Sequence, residues 1–61
     1  MANQQSLREY LAQLTALCHL FDVPEPVARR KRNLEKKLAR LTGLTVQQIQ
    51  AQADNDAANI E

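Results

Sequence analysis

The apolar residues at the start of the chain recur at the spacing of one helix face. Their separations are 4, 3, 4 and 3 residues, for Leu7, Leu11, Leu14, Cys18 and Phe21. The tetrad from Ser6 to Glu9 has the form of a capping box, in which side chains satisfy the free backbone N–H groups of a helix start. The pattern predicts a first helix over about residues 7–21.

Two prolines and a narrower apolar stripe predict a second helix. Pro24 and Pro26 lack backbone N–H donors and disfavour helical angles in the residues before them, so the first helix should end before Pro24. Pro26 suits the first turn of the next helix, where no donor is needed. At about 100° per residue, one stripe of that helix contains Val27, Leu34, Leu38 and Leu41. We predict this helix over about residues 26–42.

The sequence after Leu41 predicts that one helix stops and another begins. Gly43 can adopt the left-handed conformation that ends a helix. Thr45 and Gln48 form a second capping box, and Leu44 and Ile49 have the spacing of a hydrophobic staple. A short third helix is therefore expected over about residues 46–53.

Together these elements predict an all-α fold, with an antiparallel hairpin of two longer helices and a short third helix. No strand-like alternation is present in the sequence. Sixty-one residues are enough for one domain, which we place at 1–53. The acidic end, 54–61, has few large apolar side chains, so we expect it to be a frayed tail.

Positive charge is concentrated on the second helix although the net charge is only +1. Seven of the eight lysines and arginines lie between Arg29 and Arg40, and Glu35 is the only acid among them. Such a row suits contacts with the phosphates of a nucleic acid, and the candidates are Arg29, Arg32, Lys36, Lys37 and Arg40. A solvated charged face and an acidic protein partner are the alternative interpretations.

The segment from Glu35 to Asp54 resembles the helix-turn-helix of bacterial repressors of the lactose-repressor family. The resemblance rests on Ala39 before the turn, on Gly43 in the turn, and on Leu44, Thr45 and Ile49 after it. In that family, side chains just after the turn enter the major groove of DNA. The resemblance implies that the base-reading candidates are Thr45, Val46, Gln47 and Gln50. Glutamine can bond an adenine edge through two hydrogen bonds, which is compatible with this role.

No catalytic or metal-binding pattern is present in the sequence. Cys18 and His19 are the only residues of their types, and on a helix they point about 100° apart rather than forming a nucleophile–base pair. Gly43 is the only glycine, so no glycine-rich phosphate loop exists. We expect neither an enzyme nor a cofactor, metal or small-molecule substrate. The first residues have no signal-peptide pattern and no apolar run is long enough for a membrane, so a cytoplasmic location is expected.

The apolar face of the first helix is wide for so small a fold, which predicts a homodimer. The expected interface contains Leu7, Leu11, Leu14, Cys18 and Phe21. The leading hypothesis is a small regulatory protein of transcription that binds double-stranded DNA as a helical homodimer. The alternative is a helical protein-interaction or self-association module. A further hypothesis is an RNA-binding four-helix dimer, similar in general plan to a plasmid copy-number regulator.

Overall fold

The computed structural model describes residues 4–60, which form three helices. These are α1 (Gln4–Leu20), α2 (Glu25–Thr42) and α3 (Val46–Ile60). No strand occurs in residues 4–60, and each helix packs against the other two. The predicted all-α class is therefore confirmed, with α3 packed against both α1 and α2.

The start of α1 differs from its prediction, whereas the link between α1 and α2 agrees with it. Ser6 lies inside α1, which includes Gln4, so Ser6 does not cap this helix as predicted. The second helix begins one residue before the predicted start, with Pro26 in its first turn. The carbonyl oxygen of Pro24 accepts hydrogen bonds from the backbone N–H groups of Val27 and Ala28, at 3.0 and 3.2 Å. Prolines thus end one helix and begin the next, as their chemistry requires.

The turn between α2 and α3 has the predicted structure. Gly43 has φ = 76° and ψ = 9°, and its N–H donates to the carbonyl oxygen of Ala39 at 2.9 Å. The backbone N–H of Thr45 donates to Oε1 of Gln48 at 2.9 Å, and the N–H of Gln48 donates to Oγ1 of Thr45 at 3.1 Å. These reciprocal bonds confirm the capping box. Leu44 packs against the core cluster that contains Ile49, as expected for a staple.

Side chains from all three helices form the core. Its buried cluster consists of Leu11, Leu14, Leu34, Leu38, Ile49 and Ala53. Val27 packs against this cluster, but Leu41, the fourth member of the predicted α2 stripe, is 50% exposed. Leu41 belongs to the stripe by its angle on the helix, but α1 and α3 cover only part of the apolar face of α2.

The third helix is longer than predicted. It continues past Ala53 to Ile60, so the predicted frayed tail is wrong for residues 54–60, while Glu61 lies outside the described residues. Ala57 is 0% exposed, and Nε of Arg8 on α1 lies 2.9 Å from Oδ2 of Asp56. Buried alanines occur four residues apart on both helices: Ala12 and Ala16 on α1, and Ala53 and Ala57 on α3. Side chains this small let two helices approach closely, and this packing keeps the last turns of α3 in place.

We expect the replacement of Ala57 by Leu to lower the free energy of unfolding by about 1–3 kcal/mol, because the larger side chain enters filled space. The matched control is Ala58→Leu, one residue on and exposed, which should change this free energy by no more than about 0.5 kcal/mol. Urea denaturation followed by circular dichroism measures both. Equal stability of the two variants would show that α3 does not pack on the hairpin beyond Ala53.

Candidate nucleic-acid interface

Six of the seven cations of α2 fall into two groups on the helix surface, and the seventh, Lys31, pairs with Glu35. Taking Glu35 as the origin and about 100° per residue, four of them lie about 60–140° around the helix, on the side away from the core. We call them the outer row: Arg29, Arg32, Lys36 and Arg40. Arg30 and Lys37 lie about 200–220° from Glu35 and form a second group, the groove edge, beside α1. Both groups are exposed.

The outer row is mostly free of internal partners. Nη2 of Arg32 donates to Oε1 of Glu25 at 2.7 Å. The side chains of Arg29, Lys36 and Arg40 make no hydrogen bond or ion pair with another residue of the described range. From Arg29 to Arg40 the row extends about 16 Å along the helix axis. Three open cations at this spacing are able to meet successive phosphates of a nucleic-acid backbone.

Lys37 does not belong with the other predicted phosphate contacts. It lies with Arg30 along a groove between α1 and α2. This groove is on the flank of α2 that faces α1, away from Lys36 and Arg40. Nη1 of Arg30 donates to the hydroxyl oxygen of Tyr10 on α1 at 3.1 Å. The groove edge therefore borders α1, whereas Lys36 and Arg40 point away from it.

A buried carboxylate links α2 to α3. Glu35 is 1% exposed. Its Oε2 accepts a hydrogen bond from Nζ of Lys31 at 2.6 Å, and its Oε1 accepts one from Nε2 of Gln50 at 3.3 Å. Apolar periodicity does not identify this contact, because Glu35 is a charged residue, the one acid among the cations from Arg29 to Arg40. Its position four residues after Lys31 and next to Leu34 was the available signal.

The four base-reading candidates differ in which side-chain groups remain free to bind a base. The hydroxyl of Thr45 is used in the capping box, and one N–H of Gln50 is used by Glu35. Val46 is at the border of exposure and has only an apolar side chain. Gln47 is exposed and has no hydrogen bond within the described part of the chain. Because Gln50 contacts Glu35, the start of α3 lies beside the flank of α2 that carries Arg32 and Lys36.

The predicted dimer interface is divided between the core and the surface. Leu11 and Leu14 are buried by helices of the same chain, and Leu7 packs against this core. Cys18 is half-buried, and Phe21 is 63% exposed. The large apolar residues that remain exposed on α1 are Tyr10, Leu17 and Leu20, and Phe21, just after its last residue, is exposed as well. A homodimer remains a prediction, and in this fold Leu11 and Leu14 are not available to its interface.

Side-chain contacts of Arg8 with Asp56 and of His19 with Asp54 join α1 to α3. Nε2 of His19 lies 3.4 Å from Oδ1 of Asp54. The hydrogen bond and the negative charge of Asp56 raise the pKa of Arg8 above its ordinary value, so this guanidinium stays charged. Residues 4–60 contain no group of three or more His, Cys, Asp or Glu side chains arranged to hold a metal ion. None of the three helices is long and apolar enough to cross a membrane.

No protein-family model matches the chain, and no curated protein or solved structure shows significant similarity to it.

We expect Lys31→Met to lower the free energy of unfolding by about 2 kcal/mol, because it leaves the buried Glu35 carboxylate with only the amide of Gln50. The double variant Lys31→Met/Glu35→Leu should recover most of this loss, since it removes both charges from the interior. Lys36→Met is the matched control, because Lys36 is exposed and takes no part in the ion pairs of α2. Thermal denaturation measures all three. A Lys31→Met variant as stable as the control would contradict a role of Glu35 in linking α2 and α3.

Proposed function

We propose that this protein binds double-stranded DNA through the outer row of α2 and the start of α3. The observation that carries this proposal is the set of three open cations, Arg29, Lys36 and Arg40, on the solvent-facing side of one helix. Lys36 and Arg40 are four residues apart, and like charges at this spacing repel by a few tenths of a kcal/mol. Closely spaced phosphates would attract both cations and so offset this repulsion.

Neither Asp54 nor Asp56, the acids near the end of the described residues 4–60, pairs with the outer row. Asp56 pairs with Arg8 and Asp54 lies against His19, both on α1. This arrangement disfavours the interpretation in which the basic face of α2 is covered by the chain's own acidic end. The exposed cations of the outer row are therefore open to anions of another molecule, and a DNA backbone supplies such anions in a regular row.

The start of α3 supplies groups suited to the bases. Gln47 is exposed on the first turn of α3, and Gln50 is held beside the outer row by Glu35. Glutamine amides are able to bond adenine edges in the major groove. The third helix contains no lysine or arginine. In this proposal α2 supplies the phosphate contacts and α3 supplies base contacts, and the biological role is regulation of transcription.

A second candidate function is a helical protein-interaction module. The observation that favours it is the exposure of Leu17, Leu20 and Phe21, which are 43, 62 and 63% exposed at the end of α1. Neighbouring apolar side chains in water often mark a contact with another protein. This function uses a different surface from the outer row, so the two candidates are compatible in one molecule.

We expect Lys36→Glu/Arg40→Glu to weaken duplex binding more than tenfold at low salt. The slope of log affinity against log salt should fall by about two, since each lost phosphate contact removes about 0.9. Fluorescence anisotropy of a labelled duplex at several salt concentrations measures both quantities.

The matched control is Arg30→Glu/Lys37→Glu, which makes the same change in net charge at the groove edge. It should leave the salt slope nearly unchanged, because these side chains lie beside α1. Equal loss of affinity in both variants would indicate a general charge effect rather than an interface at the outer row. Absence of binding by the wild-type protein at low salt would overturn the proposal.

A further inference from the structure

The groove between α1 and α2 combines apolar surface with positively charged side chains. It has a volume of about 310 Å³, and its lining includes Tyr10, Pro26, Leu34, Arg29, Arg30 and Lys37. All the charged side chains that line it are cations. Arg30 bonds the neutral hydroxyl of Tyr10, and Lys37 has no ion pair within residues 4–60. The positive charge of this groove is therefore not compensated within the described chain.

An exposed apolar face of α1 begins at Tyr10, which lines the groove, and continues outside it to Leu17 and Phe21. Tyr10, Leu17 and Phe21 are separated by seven and four residues, so they project within about 40° of one another if the helical path is extended to Phe21. The N–H of Phe21 donates to the carbonyl oxygen of Leu17 at 2.9 Å, which continues the helical path to this residue. All three side chains are more than a third exposed. A long ligand that lies in the groove at Tyr10 and continues along α1 would therefore meet cations in the groove and apolar side chains at Leu17 and Phe21.

We propose that this groove binds an amphipathic helix of a partner protein, one with an apolar stripe flanked by Asp or Glu. The stripe would lie on Tyr10, Leu17 and Phe21, and the acids would pair with Arg30 and Lys37. Helices that bind in grooves use this division between apolar anchors and polar flanks. Complementary charge at the rim would set the orientation and favour acidic helices over basic ones.

Charge argues against a second copy of this chain in the groove. A two-fold dimer places the same patch of both copies face to face. Arg29, Arg30 and Lys37 of one copy would then meet their own counterparts, and juxtaposed like charges disfavour association. Duplex DNA would satisfy the cations but leave Leu17 and Phe21 in contact with water. An acidic amphipathic helix satisfies both parts of the surface.

The test uses a labelled designed helical peptide with leucines at spacings of three and four residues and glutamates on both flanks. Fluorescence anisotropy should show saturable binding to the wild-type protein. Arg30→Glu/Lys37→Glu should weaken it at least tenfold, and Leu17→Ser/Phe21→Ser should do the same without loss of helical structure by circular dichroism. Lys36→Glu/Arg40→Glu is the control of equal charge change and should bind the peptide within about threefold of wild type, since only the long-range field differs.

A companion peptide with lysines in place of the glutamates distinguishes specific pairing from general attraction. It should bind the Arg30→Glu/Lys37→Glu variant better than the wild type. Equal weakening by the groove-edge and outer-row variants would overturn the proposal. So would a wild-type dimer in sedimentation equilibrium that Phe21→Ser dissociates, or preferential capture by vesicles of anionic lipid. The assay contains no DNA, so its failure leaves the proposed DNA binding untouched, and the reverse also holds.

Discussion

The three-residue turn from Gly43 to Thr45 is the constraint on which the rest of the structure depends. A chain of 61 residues buries only about 60% of the surface that its unfolded form exposes. The α1–α2 hairpin therefore needs α3 to complete its core. The left-handed conformation of Gly43 ends α2, and the capping box begins α3 within the same short segment. This geometry brings Ile49 and Ala53 onto Leu11, Leu14, Leu34 and Leu38.

The same turn positions the polar groups of the candidate interface. With α3 folded back against α2, the amide of Gln50 reaches the buried carboxylate of Glu35. Burying a charge is costly unless it has partners, so Glu35 favours the arrangement in which both Lys31 and Gln50 are in place. The start of α3 is thereby held next to one flank of α2. Its other flank borders α1 and the groove. One helix thus separates two basic surfaces that the sequence alone presents as a single run of cations.

Local chemistry was predictable from the sequence, whereas the contacts between helices were not. The prolines, Gly43 and the pair of Thr45 and Gln48 act within a few residues, so their effect can be read from the sequence directly. The extension of α3 to Ile60 depends on Ala57, whose small side chain contributes little to a hydrophobic pattern but fits a close helix contact. Periodicity identified the apolar face of α1 but not its neighbours. It therefore did not distinguish Leu11 and Leu14, which are buried, from Leu17, which is exposed.

In the proposed function, the outer row of α2 and the start of α3 form one DNA-binding surface, and only Arg29 of this row also lines the groove. The most direct measurement is a titration of the ¹⁵N-labelled protein with duplex DNA at low salt, followed by the side-chain and backbone amide signals in NMR. The account predicts that signals of Lys36, Arg40 and Gln47 move together with increasing DNA, while those of Tyr10, Leu17 and Phe21 stay in place. Shifts confined to α1 and the groove, with α3 unaffected, would contradict it.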